Sequence, residues 1–306
     1  MKKLFGVTTA MVTPMYANGE VNYSETAKLT EFLISKGVDC LYPLGTTGEM
    51  LKLSLEERKE VAETVIRAAN QRVPVFVHIG AMTVKETLVL AEHAVQAGAD
   101  GIGVVTPIYF PASGEDIEHY YATIANALPK DFPIYLYSIP QLSGNELPVK
   151  VVKRLAESYP NIVGMKYSYP DFLMLKDYLS IRSNDFSVLT GTDALFVPAL
   201  AMGCDGVVSG VSSVYPEPFV HIYRSFQAMD LNDAREMQRH ADRIIKILQA
   251  GANIAYFKSG LEHRGIKAGS VKGPQQDLNK RLNEELVQEL NEWISELSEK
   301  KLMSIY

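Results

Sequence analysis

Eight short apolar runs, helical patterns between them, and one helix-to-strand loop used three times predict an α/β fold. That fold is a (β/α)8 TIM barrel with a C-terminal helical extension. The runs fall at 5–12, 40–44, 73–79, 101–105, 133–137, 162–166, 186–189 and 206–208. They are nearly continuous in apolar and β-branched residues, not alternating, which suits parallel strands covered on both faces. The recurring loop is a helix, a glycine, an aspartate and a strand. It occurs at Gly37-Val38-Asp39, Gly98-Ala99-Asp100 and Gly203-Cys204-Asp205. Glycine readily takes the left-handed conformation that ends a helix, so the repeat marks one βα unit used again and again.

Taken in order, the first run follows Met1-Lys2-Lys3 and has a faint leader-like look. Thr8, Thr9 and Pro14 break it and no small-x-small cleavage site stands out, so it reads as the first strand. The stretch after it, Thr13 to Gly19, has no G-x-G-x-x-G, which disfavours an open doubly wound sheet. Gly101-Ile102-Gly103 is only a fragment of that pattern. Ser54 with Glu57 and Thr83 with Glu86 read as capping boxes, and Ser113 with Asp116 as a weaker version. Pro148 and Pro170 suit the first turn of a helix. Beyond about residue 225 the strand pattern stops, and 230–250, 252–262 and 275–300 are helical. The expected division is a barrel at residues 1–225 and a helical region at 226–306 packed on it, with no low-complexity linker.

Hydrophobic residues make up 47% and charged residues 22% of the 306, the balance of a globular protein with a large core. The net charge is -6 and no Lys/Arg-rich run occurs, so neither nucleic acid nor an anionic membrane is an expected partner. No run of eighteen apolar residues is present to span a bilayer. Cys40 and Cys204 each lie in or beside an apolar run. They read as buried, reduced thiols of a cytoplasmic protein, with neither a disulfide nor a zinc site.

In such a barrel the chemistry sits at the C-terminal ends of the strands. Those ends supply Thr13; Gly45-Thr46-Thr47-Gly48-Glu49; His78; Thr106 and Tyr109; Tyr137; Lys166 and Ser168; Gly191, Thr192 and Asp193; and Ser209. His78 and His93 have no metal-ligand spacing, and this set has neither a G-x-S-x-G elbow nor the paired carboxylates of a glycosidase. Lys166 closes the sixth run. An ammonium at the edge of a dry core is costly unless paired, and a desolvated lysine amine is a nucleophile. The alternative is a cation that has reached the surface where its strand ends. Lysine, tyrosines and hydroxyls together suit carbonyl chemistry through a Schiff base. Tyr137 then either moves protons or simply packs with its hydroxyl at the rim. Thr46 and Thr47 either cradle a small carboxylate or form a tight turn.

The stretches Gly45-Thr46-Thr47-Gly48-Glu49, Tyr135-Leu136-Tyr137-Ser138-Ile139-Pro140 and Gly164-Met165-Lys166 resemble those of the dihydrodipicolinate synthase / N-acetylneuraminate lyase family. So do Thr106-Pro107-Ile108-Tyr109 and Cys204-Asp205-Gly206-Val207-Val208-Ser209, and the likeness runs in order along nearly the whole chain. The resemblance implies a Schiff-base lyase using pyruvate, without a separate cofactor or metal, assembled as a homotetramer. In it Lys166 forms the imine and Tyr137 carries protons. Thr46 and Thr47 hold the pyruvate carboxylate, and Val208 contacts pyruvate through its backbone. Tyr109 crosses a subunit interface and completes a proton relay with Thr46. Gly191, Asp193 and Leu142 stand where the rest of the substrate is read; Asp193 either binds a sugar hydroxyl or caps the helix after strand seven, and capping is the preferred reading. Dihydrodipicolinate synthases usually carry an arginine where this chain has Leu142, and leucine cannot make a bidentate carboxylate contact. Sialic acid lyases tend to have Asp-Glu after the strand-seven glycine, and here the pair is Asp193-Ala194. The leading expectation is an aldolase or lyase of a 2-keto-3-deoxy sugar acid or sialic-type acid. Its rivals are dihydrodipicolinate synthase, condensing pyruvate with aspartate semialdehyde, and a non-catalytic keto-acid-binding homologue.

Overall fold

A computed structural model describes residues 1–181 and 186–299 of the chain. Within them eight strands form one parallel sheet. They are β1 (Gly6–Ala10), β2 (Cys40–Tyr42), β3 (Phe76–His78), β4 (Gly101–Val105), β5 (Ile134–Ser138), β6 (Ile162–Tyr167), β7 (Ser187–Thr190) and β8 (Gly206–Ser209). Their order is β2-β1-β8-β7-β6-β5-β4-β3. The ends meet through a parallel bridge between Leu41 and Val75, with the Leu41 N–H donating to Pro74 O at 2.9 Å. The result is a (β/α)8 barrel, and each apolar run overlaps one strand. β2 and β3 are shorter than their runs because Pro43 follows one and Pro74 precedes the other. Proline has no N–H to give to a ladder.

Outside the sheet lie α1 (Tyr23–Ser35), α2 (Leu55–Ala69), α3 (Val84–Gln96), α4 (Gly114–Ala127), α5 (Pro140–Ser143), α6 (Val149–Ser158), α7 (Phe172–Leu179), α8 (Phe196–Met202) and α9 (Glu217–Gln227). Ser54 and Ser113 each head a complete capping box, and Thr83 accepts the Glu86 N–H. The two prolines sit further out than expected. Pro148 is the N-cap of α6, and Pro170 precedes the N-cap of α7. Asp171 takes that place because its side chain accepts the Leu173 and Met174 N–H groups.

The recurring glycine-aspartate loop ends a helix and also pins a neighbouring strand. Gly37, Gly98 and Gly203 have φ of 80°, 80° and 104°. Each aspartate then accepts a backbone N–H on the strand beside its own: Asp39 from Val7 at 2.8 Å, Asp100 from Val75 at 2.9 Å, Asp205 from Val188 at 2.8 Å. Buried apolar residues form a shell between sheet and helices and a separate plug inside the barrel that includes Tyr42, Phe76, Tyr135 and Leu189. Glycine makes room for the plug. A Cβ on Gly103 would stand 1.7 Å from the Tyr42 hydroxyl.

The C-terminal patterns contain α10 (Leu231–Ile247), α11 (Ile254–His263) and α12 (Lys280–Glu299). Lys300, the last residue of the third pattern, lies outside the described residues. α12 docks through Trp293, which is buried, stacks edge-on against Tyr215 and donates from Nε1 to His240 O at 3.1 Å. Among the described residues no helix is long and apolar enough to cross a membrane.

Candidate active site

Lys166 on β6 pairs in register with Tyr137 on β5. Residues abreast on adjacent strands point to the same face, and here that face is the barrel interior. Lys166 is 6% exposed and Tyr137 2%. The amine stands 4.2 Å from the centre of the Tyr137 ring and 5.5 Å from that of Tyr42. Among the described residues no carboxylate pairs with it, so the amine is held by ring faces and packing rather than by an anion. His78 supports the same wall. It is fully buried, its Nδ1 meets Leu44 O at 3.1 Å, and its ring lies edge-on to Tyr137. Burial, with the charges of Arg58 and Lys166 nearby, drives its pKa well below the usual histidine value. The neutral ring donates from Nδ1 and serves as packing, not as an acid or base.

The Gly45-to-Glu49 turn follows β2. Gly48 N–H donates to Gly45 O at 3.0 Å, Glu49 N–H to Thr46 O at 3.0 Å, and the Thr13 hydroxyl to Gly48 O at 2.9 Å. Leu44 and Glu49 bracket the turn in the left-handed region, with φ of 66° and 58°. Non-glycine residues enter that region only when surrounding contacts hold them there. Thr46 and Thr47 face the cavity. The Thr47 hydroxyl packs over Gly210, where an added Cβ would lie 2.9 Å from it. The Glu49 side chain points the other way, into the fold.

β7 delivers Gly191 and Asp193. A Cβ on Gly191 would stand 1.8 Å from the Ser168 hydroxyl and 2.8 Å from Cε of Lys166, so the bare backbone here lets the lysine stem pass. Asp193 does not cap the helix after strand seven, contrary to the preferred expectation. Its Oδ2 accepts the Val211 N–H at 3.3 Å, beyond β8, and the 3-10 turn Asp193–Leu195 has no side-chain cap. Its Oδ1 is sealed from solvent without a hydrogen-bond partner, as is the Ser168 hydroxyl. Burial pushes the Asp193 carboxyl up to about 6, against the pull of Ser209, the Val211 N–H and the Lys166 charge.

These groups share a cavity of about 430 Å³. Thr46, Thr47, Tyr137, Lys166, Gly191, Asp193, Val208 and Leu142 all line it. Leu142 stands on α5 at the mouth, 60% exposed, and its neighbour Gln141 donates to Ser168 O at 2.7 Å. Tyr109 is the candidate that does not join them. It is 75% exposed with φ of 75°, packs edge-on against Phe110, and lies away from its own chain's cavity. The roof came from no motif. Ile245, Gln249, Ala250, Ile254 and Phe257 of α10, α11 and their connection line the rest of the cavity.

A family model described as the dihydrodipicolinate synthetase family matches residues 3–293. The chain is 34% identical over 281 residues to the 4-hydroxy-tetrahydrodipicolinate synthase of Syntrophus aciditrophicus, which spans 92% of this chain and 95% of that one. YagE, a prophage protein of the dihydrodipicolinic acid synthase family from E. coli K12, solved in complex with pyruvate, superposes with a TM-score of 0.89. It is 29% identical and the match covers 95% of this chain and 99% of that one. A catalytic lysine mutant of the sialic acid aldolase of Ruminococcus gnavus superposes with a TM-score of 0.90 at 25% identity, covering 97% and 99%.

Proposed function

Because this chain belongs to the dihydrodipicolinate synthetase family of class I aldolases and lyases, we propose that it makes or breaks a carbon–carbon bond through a pyruvate imine on Lys166. Its substrate in this reading is a 2-keto-3-deoxy sugar acid or sialic-type acid. The observation that carries the proposal is the buried amine abreast of Tyr137, facing a cavity and free of any carboxylate partner among the described residues.

In the cleaving direction the Lys166 amine adds to the keto carbon of the substrate and water leaves, forming the protonated imine. Tyr137 takes the proton of the C4 hydroxyl, the C3–C4 bond breaks, and its electron pair moves into the imine to give an enamine. The aldehyde departs. C3 of the enamine is then protonated, and water releases pyruvate and the free amine. Thr46 and Thr47 hold the carboxylate throughout, with the Gly191 and Val208 backbone against the three-carbon unit. No metal or separate cofactor is required by these steps. Asp193 takes a hydroxyl of the sugar chain, a role supported by its place in the cavity wall beside Lys166 and Gly191.

Tyr109 completes the proton relay with Thr46 in a neighbouring subunit of a homotetramer. Its exposure and left-handed backbone support that role. A cytoplasmic location agrees with Cys40 and Cys204, both buried and neither in a disulfide.

A second reading, 4-hydroxy-tetrahydrodipicolinate synthase, has the name of the Syntrophus relative in its favour. It asks the cavity to hold a second carboxylate, and Lys166 is the one cationic side chain among the described lining residues. Release of pyruvate from 2-keto-3-deoxygluconate, 2-keto-3-deoxygalactonate and N-acetylneuraminate, set against condensation of pyruvate with aspartate semialdehyde, tests the choice. Pyruvate release from one of the three acids is expected. Strong condensation would favour the second reading instead. Lack of any reaction together with reversible keto-acid binding would favour a non-catalytic homologue.

A further inference from the structure

Glu49 ends the turn that offers Thr46 and Thr47 to the cavity, yet its carboxylate is buried on the far side. An uncompensated carboxylate there would be costly. Three groups hold it. Lys258 of α11 stands 2.9 Å from Oε1 as a buried ion pair. Lys52 donates to Oε2 at 3.0 Å, and so does the backbone N–H of Lys272 at 3.0 Å. Lys258 is itself only 1% exposed and also donates to Ser270 O at 2.5 Å. Desolvation lowers its pKa, and Glu49 beside it pulls the other way.

The contact therefore joins two distant parts of the chain inside the fold. On one side is a turn whose two ends, Leu44 and Glu49, sit in left-handed backbone that needs outside support. On the other is the C-terminal helical region. Phe257, next to Lys258, lines the cavity beside Gly210, so α11 supplies part of the wall and the anchor of the turn together.

We infer that Lys258 is a positioning residue: through Glu49 it holds the Thr46-Thr47 turn in the pose that binds the carboxylate of the keto acid. The inference rests on the pyruvate reading of the site. It assigns to the helical region a part in binding keto acid, not only in stability. Lys258 touches no reacting atom and reaches the turn through Glu49.

The test is the pyruvate dependence of borohydride trapping, followed by intact mass. Lys258→Met should raise the half-saturating pyruvate concentration by about tenfold or more, while the maximal trapping rate changes by less than about threefold. That variant leaves Glu49 charged and partly unpaired and can fail to fold, so Glu49→Gln/Lys258→Met is made beside it. The double variant removes the buried charges and should recover thermal stability relative to Lys258→Met, yet keep the weakened pyruvate dependence. Recovery of both in the double variant would reduce Lys258 to a structural role and overturn the inference. So would an unchanged half-saturating concentration in a folded Lys258→Met. A parent chain that traps no pyruvate at all overturns the pyruvate reading and this one with it, and is told apart because parent and variants are then equally silent.

Discussion

At the scale of single residues the site is built from groups that water would otherwise satisfy. Lys166 meets two ring faces, and Asp193 Oδ1 and the Ser168 hydroxyl have no partner. Such groups are placed to bind a substrate that completes them. Tyr137→Phe should slow turnover by about 10²–10⁴-fold, with a much smaller effect on half-saturation by pyruvate, because the lost hydroxyl moves protons and does not bind the acid. Steady-state kinetics with pyruvate release as the readout checks this. Asp193 gives a pH signature. Its folded pKa of about 6 lies above the ordinary 3.8, so the stability of the protonated form is complete below about pH 4 and lost as pH rises to about 6. Compared with Asp193→Asn, the parent chain should lose up to roughly 3 kcal/mol across that window and then level off, as read by calorimetry at a series of pH values. The places of Lys166, Tyr137, Thr46 and Thr47 in the cavity were legible in the sequence because the first two close apolar runs and the other two stand in the turn after one, and strand ends point at one face. The direction of Asp193 was not. Nothing local says that its carboxylate will prefer the Val211 N–H beyond β8 to the turn it begins.

At the scale of elements, the glycine-aspartate loop carries more than its sequence pattern suggests. Three aspartates tie three strand starts to their neighbours, and Asp100 does so at Val75, where β2 and β3 close the barrel. Asp100→Ala should destabilise the chain by about 1–3 kcal/mol, since it strands a backbone N–H, while leaving borohydride trapping intact in the folded fraction. Denaturant unfolding with parallel trapping measures both. The helix-glycine-aspartate order was readable, but the partner of each aspartate lies one strand away and depends on register. The roof was harder still. The α10–α11 connection places Gln249, Ala250 and Gly251 at positive φ in succession. Two of these are not glycine, so no local signal marks the bend. One sign was available for the anchor: Lys258 lies on the face of α11 shared by Ile254 and Leu261, and a charge on an apolar helical face asks for a buried partner.

At the scale of the whole molecule, the barrel was legible because one unit recurs, whereas assembly and second substrate are set by surfaces that no repeat encodes. Leu142 and Ala194 leave the cavity mouth without the cation or the carboxylate that would single out one substrate. Tyr109 and Phe110 expose two large rings side by side, away from their own cavity. If Tyr109 serves a neighbouring subunit, Lys166→Ala and Tyr109→Phe chains, each poorly active alone, should complement each other. Random mixing after dissociation should restore about a quarter of the parent turnover, because a site between unlike chains can pair an intact lysine with an intact tyrosine. No recovery on mixing would confine Tyr109 to its own chain. The central claim is the imine itself. Incubation with pyruvate and borohydride, read by intact mass, should show one reduced pyruvyl adduct per chain in the parent and none in Lys166→Ala. An unmodified parent, or an adduct that survives the substitution in equal yield, would contradict the account.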